Sequence, residues 1–255
     1  MRTTLIALLL LVAPVFAPLF AQSAPTVAEQ YLLQMANRHR ADLHLPPLVW
    51  DAALARAALA HATIIAQSPG PALHRYPGEP DTLTRAANAG AHFSSIAENV
   101  AGNGNTTVEI ESAWMHSPVH RANILDPNLN AVGISVVQSH GLLFAVEDFA
   151  RSVQPLGSSQ VEQQALGLFR SHGLQPKPDR AAQQDARRSC LNESATLASA
   201  PSLILHWEGP DLNQLADTVR EQLPQPQAHT VAVGSCPASK TTPGFTTFHL
   251  AVLIY

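Results

Sequence analysis

Trp114-Met115-His116-Ser117-Pro118-Val119-His120-Arg121-Ala122-Asn123-Ile124-Leu125 is the stretch on which the reading of this chain turns. Proline lacks an N–H and its ring clashes with the preceding turn, so a helix arriving from Thr107 stops near His116. Ser117 is of a helix-capping type, and Pro118 suits the first position of a new helical turn. His120 and Arg121 then sit on a short turn between Trp114 and Ile124-Leu125, whose apolar side chains point into a core. Two readings stand side by side at this point: a turn that presents a reactive histidine, and an ordinary helix-turn-helix corner.

Toward the N-terminus, Thr106-x-x-Glu109 opens the helix that leads into this corner. Before it, Ile96-Ala97-Glu98-Asn99-Val100-Ala101-Gly102 reads as an extended piece with a carboxylate set among apolar residues. Asp81 caps a short helix closed by Gly90, after a Pro- and Gly-rich loop over 68–80 that carries His74. Asp51 caps a helix to about Gln67, and Thr26-x-x-Glu29 is a capping box for a helix over about Val27–Leu43. Toward the C-terminus, 132–137 and 142–149 read as an antiparallel pair across Ser139-His140-Gly141. The first unit, 27–150, is therefore α+β, with helices on an antiparallel sheet.

Residues 151–160 read as a linker, and 161–255 as a smaller α+β domain. Its helices fall over Val161–His172, in a short piece ending at Cys190, and from Asp211 to about Leu223. Its strands fall at Leu203–Trp207, Thr230–Gly234 and Phe245–Ile254. The strand-loop-strand ending echoes the end of the first unit. Such endings are common, and duplication stays open.

The chain has 255 residues, 46% of them hydrophobic and 13% charged, with a formal net charge of -4. It can fill two cores, and without a basic patch nucleic acid is not an expected partner. Residues 1–21 read as a secretory signal, with Arg2 followed by the apolar run Leu5–Phe16 and a small residue, Ala21, at the cut. Leu19, bulky for a position two before the cut, keeps an uncleaved anchor open. After cleavage no stretch is long and apolar enough to span a membrane, so a secreted, extracellular or periplasmic protein is expected. In that setting the two cysteines, Cys190 and Cys236, are expected to bridge.

Several of these pieces occur in a fixed order: Leu45-Pro46-Pro47-Leu48-x-Trp50-Asp51, Ala60-His61-Ala62, Ala97-Glu98-Asn99-Val100-Ala101, and the corner from Trp114 to Leu125. Val132-Gly133-Ile134 and Asp148-Phe149 close the series. In this succession the chain resembles the bacterial branch of the CAP superfamily, or SCP domain, which takes in cysteine-rich secretory, antigen 5 and pathogenesis-related-one proteins. The resemblance covers roughly 28–150 and implies an α-β-α sandwich in a mostly secreted family. In animal and plant members two histidines and two glutamates line a cleft that can hold a divalent metal. Carried over, these positions fall on His74, Glu98 and His120, while the second glutamate is replaced by Ser117.

The cleft expected from the resemblance is thus His74, Glu98, Ser117 and His120, with His74, Glu98 and His120 a ligand set for zinc or another divalent metal. Glu98 and His120, each in an apolar setting, are expected to pair with one another. Ser117, His120 and Glu98 have the residue types of a nucleophile, base and orienting acid. Without a strained elbow or oxyanion loop, capping is the better reading of Ser117. His61 reads as a satisfied core histidine, His116 as a surface residue, and Asn99 as structural through its amide. Glu109 and Glu111 read as an exposed first helical turn. The expectation is a secreted binding or interaction module for an unknown ligand or extracellular partner. A metal-assisted, peptidase-like hydrolase and a lipid or sterol carrier are the alternatives.

Overall fold

A computed structural model describes residues 24–222, 229–237 and 242–255. The signal-peptide reading, on residues 1–21, lies outside the described residues. The chain forms two α+β units, each a four-stranded sheet between helices.

In the first unit α1 (Val27–Asp42) leads to β1 (Val49–Trp50), α2 (Ala52–Gln67) and α3 (Thr82–Asn88). Then follow β2 (Phe93–Gly104), α4 (Thr107–His116), α5 (Pro118–Ile124), β3 (Ala131–Ser139) and β4 (Leu142–Ser152). The helix starts follow from the capping chemistry: Thr26 and Glu29 bond reciprocally, and Asp51 accepts from the amides of Ala53 and Leu54. The corner breaks where Pro118 demands it. Ser117 occupies the cap position but makes no side-chain cap bond, contrary to the capping role expected of its hydroxyl.

The sheet runs β1-β3-β4-β2. It is not wholly antiparallel as expected, because Val49-Trp50 pairs in parallel with Ala131-Val132. One face carries α2 and α3 on Leu54, Ala57, Phe93 and Ala150, with Ala58, Ile65 and Val146 further along. The other carries α1, α4 and α5 on Leu32, Trp114, Ile124, Val132 and Phe149. Trp114 and Ile124 are buried, so the clamp on the corner is real. Arg40, at the end of α1, adds a polar tie: its guanidinium donates to the carbonyls of Pro46, Ile124, Asp126 and Leu129 at 2.8–3.0 Å.

The second unit repeats this plan. The elements α6 (Ser158–Ser171), β5 (Gln175–Pro176), α7 (Arg180–Leu191), β6 (Leu203–Gly209), α8 (Leu212–Gln222), β7 (Thr230–Cys236) and β8 (Phe248–Ile254) build a sheet ordered β5-β7-β8-β6. Strand order and senses match the first sheet, including the parallel pair of β5 and β7. The duplication that the sequence left open is therefore present as a structural repeat. Gly133 on β3 and Gly234 on β7 mark equivalent places, since a Cβ at either would collide with the backbone of the crossing helix, α2 or α7, at 2.0–2.2 Å. Cys190 and Cys236 form the expected disulfide, tying α7 to the end of β7.

The repeats are joined by a short connection, Val153–Gly157, because β4 extends to Ser152 and α6 begins at Ser158. Phe93 docks them further: its amide donates to the Gly244 carbonyl, its carbonyl accepts from the Thr246 amide, and its ring meets Phe245 edge-on. Gly244 sits at φ 78°, and a Cβ there would press on Ala87 and Phe93 at 2.8 Å.

Candidate functional site

β2 and β4 carry two polar pairs, one on each face of the first sheet. In the antiparallel register Glu98 faces Asp148, and the next pair, Asn99 and Glu147, faces the other way. All four residues are buried.

Glu98 opens toward the loop over 68–80. Its Oε1 meets His74 Nδ1 at 2.8 Å, and its Oε2 accepts from the Arg85 Nη2 of α3. Arg85 also donates to the carbonyls of His74 and Pro80 and to Thr82 Oγ1, and lies 3.4 Å from Glu79. His61 on α2 is enclosed: Nδ1 meets Glu79 Oε1 at 2.7 Å, Nε2 meets the Leu73 carbonyl at 2.9 Å, and Glu98 Oε2 is 4.0 Å away. Both ring nitrogens therefore have oxygen partners. The network pins the 68–80 loop to α2, α3 and β2.

Burial alone would raise the Glu98 carboxyl, but the His74 hydrogen bond, the Arg85 guanidinium and nearby His61 outweigh it and hold it below the usual carboxylate range. The Glu98 hydrogen bond in turn raises His74, more than half of whose side chain is exposed. Asp148 behaves oppositely. Neither of its oxygens has a donor among the described residues, and burial, followed by the charge of Glu98, pushes it far upward. Burial and the facing Glu98 charge thus both favour the neutral acid at Asp148.

On the opposite face Asn99 Nδ2 donates to the His120 carbonyl and to Glu147 Oε2, each at 3.2 Å, and Asn123 Nδ2 donates to Asn99 Oδ1 at 2.9 Å. Asn99 thus fixes α5 to the sheet, as its structural reading expected. Burial, helped by nearby Glu111, drives Glu147 to about 8 against the Asn99 bond. Glu111 is therefore not part of an exposed turn: it faces inward and bonds His39. Glu109 is exposed and bonds Asn105.

Of the expected cleft residues, the structure brings His74 and Glu98 into contact. His120 lies half-buried on α5, its imidazole held below its ordinary value by burial and then by the nearby His74 charge. The expected pairing of Glu98 with His120 is not made. Arg85 and His74 take both carboxylate oxygens, while His120 is reached through its backbone. Ser117 makes no side-chain bond to His120. Among the described residues, no three His, Cys, Asp or Glu side chains are grouped to hold a metal ion. With a guanidinium on Glu98 in place of a second carboxylate, the donor set does not fit a resident dication.

Sequence reasoning missed Arg85, Glu79 and Asp148. Arg85 and Glu79 lie within a short helix and loop whose local sequence shows only turn and cap chemistry. Asp148 lay in a quoted motif, where its strand parity opposite Glu98 was the available signal. Among the described residues the second repeat does not reproduce this site. Gly133 leads across the ladder to Asp148 and then Glu98, whereas Gly234 leads to Ala251 and then His206. His206 bonds Ser189 instead, and no counterpart of α3 lies between α7 and β6.

Residues 33–149 match the model of the CAP family, described as the cysteine-rich secretory protein family. This segment is a CAP domain and belongs to that family. It is similar to an uncharacterized Bacillus subtilis protein, YkwD, at 29% identity over 119 residues, 47% of this chain and 46% of the relative. The match thus spans about half the length of that curated relative. An extracellular Bacillus anthracis protein containing an SCP domain is 24% identical over 48% of this chain and 40% of its own, with a TM-score of 0.45. Na-ASP-1 is 11% identical over 89% of this chain and 88% of its own, with a TM-score of 0.42.

Proposed function

We propose that the chain is an exported binding module whose first repeat presents a cleft between the 68–80 loop and α5. One observation carries this reading: the Glu98 carboxylate is already committed on both oxygens, to Arg85 and His74. A carboxylate so held serves to position His74, and is poorly placed as a general base or metal ligand. The exposed side of the His74 ring, with Nδ1 turned to Glu98, offers its other nitrogen to an oxygen acceptor on a ligand. His120 lies near enough for the His74 charge to act on its imidazole. Export rests on the Arg2-led apolar run and on the disulfide, a bond suited to an oxidising compartment. No helix among the described residues is long and apolar enough to cross a membrane.

The hydrolase reading is tested by incubating mature protein, with and without added zinc, with casein and with a p-nitrophenyl ester. The binding-module reading expects no turnover above buffer. Zinc-dependent turnover abolished by His120→Ala would replace it with the hydrolase.

A further inference from the structure

A hollow lies away from the His–Glu cleft, in the crease where the two repeats meet. It measures about 560 Å³, within the usual range of ligand pockets, and domain junctions are where such pockets gather. Its walls are the end of β4, the 153–156 connection, the exposed ridge of α6 and the turn before α8.

Three features set its chemistry. First, it is charge-balanced, because Arg151 of the first repeat bridges Asp211 of the second at 3.2 Å. Among the described residues no unpaired cation remains there to select a phosphate or carboxylate. Second, the amides of Gln154 and Gln164 are exposed on its wall and make no hydrogen bond among the described residues, so each offers a donor and an acceptor. Leu168 and Leu212 add apolar surface beside them. Third, Gly167 stands in the interior of α6, where glycine costs about 1 kcal/mol relative to alanine. Packing does not require it: a Cβ there would meet nothing within 4 Å. Gln164, Gly167 and Leu168 fall on one helix face, and the missing side chain keeps the hollow open.

We propose that this inter-repeat hollow is a binding site for a neutral saccharide chain. A sugar ring has an apolar face and a rim of hydroxyls that both donate and accept, which matches amides and a balanced ion pair set beside leucines. An extended peptide would need a free strand edge, and here Ser152 N–H and C=O are taken by Asn130 while Val153 N–H is taken by His92. The full mature chain would be titrated calorimetrically with chitotetraose, cellotetraose and tetraalanine up to about 5 mM. The proposal expects saturation with at least one saccharide. It also expects affinity to fall at least about tenfold in Gly167→Trp, which fills the hollow, and in Gln164→Ala, with both variants melting like wild type. Failure of both saccharides to bind, binding of tetraalanine alone, or saccharide binding unchanged in both variants would overturn it.

Discussion

Glu98 on β2 and Asp148 on β4 stand directly opposite one another in the antiparallel ladder, two buried carboxyl groups of which only Glu98 has cationic partners. With Asp148 protonated, the pair is a neutral donor facing an anion. Asp148→Asn keeps a donor in that place and is expected to unfold within about 1 kcal/mol of wild type at pH 7. Glu98→Ala removes the nearest anion of the buried Arg85 guanidinium, which keeps Glu79 at 3.4 Å, and is expected to cost about 3 kcal/mol. The exposed His74 half of the network adds little to that figure. Urea unfolding of the two variants checks this, and equal losses would contradict a neutral Asp148 beside an ion-paired Glu98.

Glu147 makes a separate, pH-dependent prediction. Its folded value is raised to about 8 from the ordinary 4.5. Between these values the folded protein holds a proton that the unfolded chain has released, so this group makes stability fall as pH rises through that window, by about 1.4 kcal/mol per unit. Glu147→Gln mimics the neutral acid and removes the penalty. Between pH 5.5 and 7.5 its stability relative to wild type is expected to grow by about 2–3 kcal/mol. Asp148 contributes to the slope of both proteins, so the difference between them isolates Glu147.

Arg40 is expected to matter more than an ordinary helix-end arginine. Removing its guanidinium leaves four carbonyls, of Pro46, Ile124, Asp126 and Leu129, without their donor in the loops that frame the corner. Arg40→Met keeps most of the stem's packing, and its expected cost is at least about 3 kcal/mol in thermal or urea unfolding. A loss under about 1 kcal/mol would mean that water replaces the guanidinium there.

Much of the fold was legible because its signals are local. Thr26, Asp51 and Asp81 start helices where capping chemistry says they should, Pro118 breaks the corner, and Gly90 and Gly173 take the left-handed positions that end helices. The parallel pairing of β1 was not legible, since two residues carry no periodicity. The repeat was only half visible, because Gly133 and Gly234 share a packing demand while the side chains around them have diverged. In the cleft, His74 and Glu98 came from the resemblance and do meet. Arg85 was silent because nothing local to Thr82–Asn88 shows that its side chain crosses to β2. That crossing is why Glu98 turns to arginine and not to His120.

Arg85 and His74 commit the Glu98 carboxylate, and a cleft so held is expected to carry no resident divalent metal. This expectation is tested most directly by titrating zinc into the mature protein at pH 7 by calorimetry, with His120→Ala alongside. The account predicts no stoichiometric binding to the cleft, and the same weak heat for both proteins. One zinc per chain bound with a Kd below about 1 µM and lost in His120→Ala would contradict it.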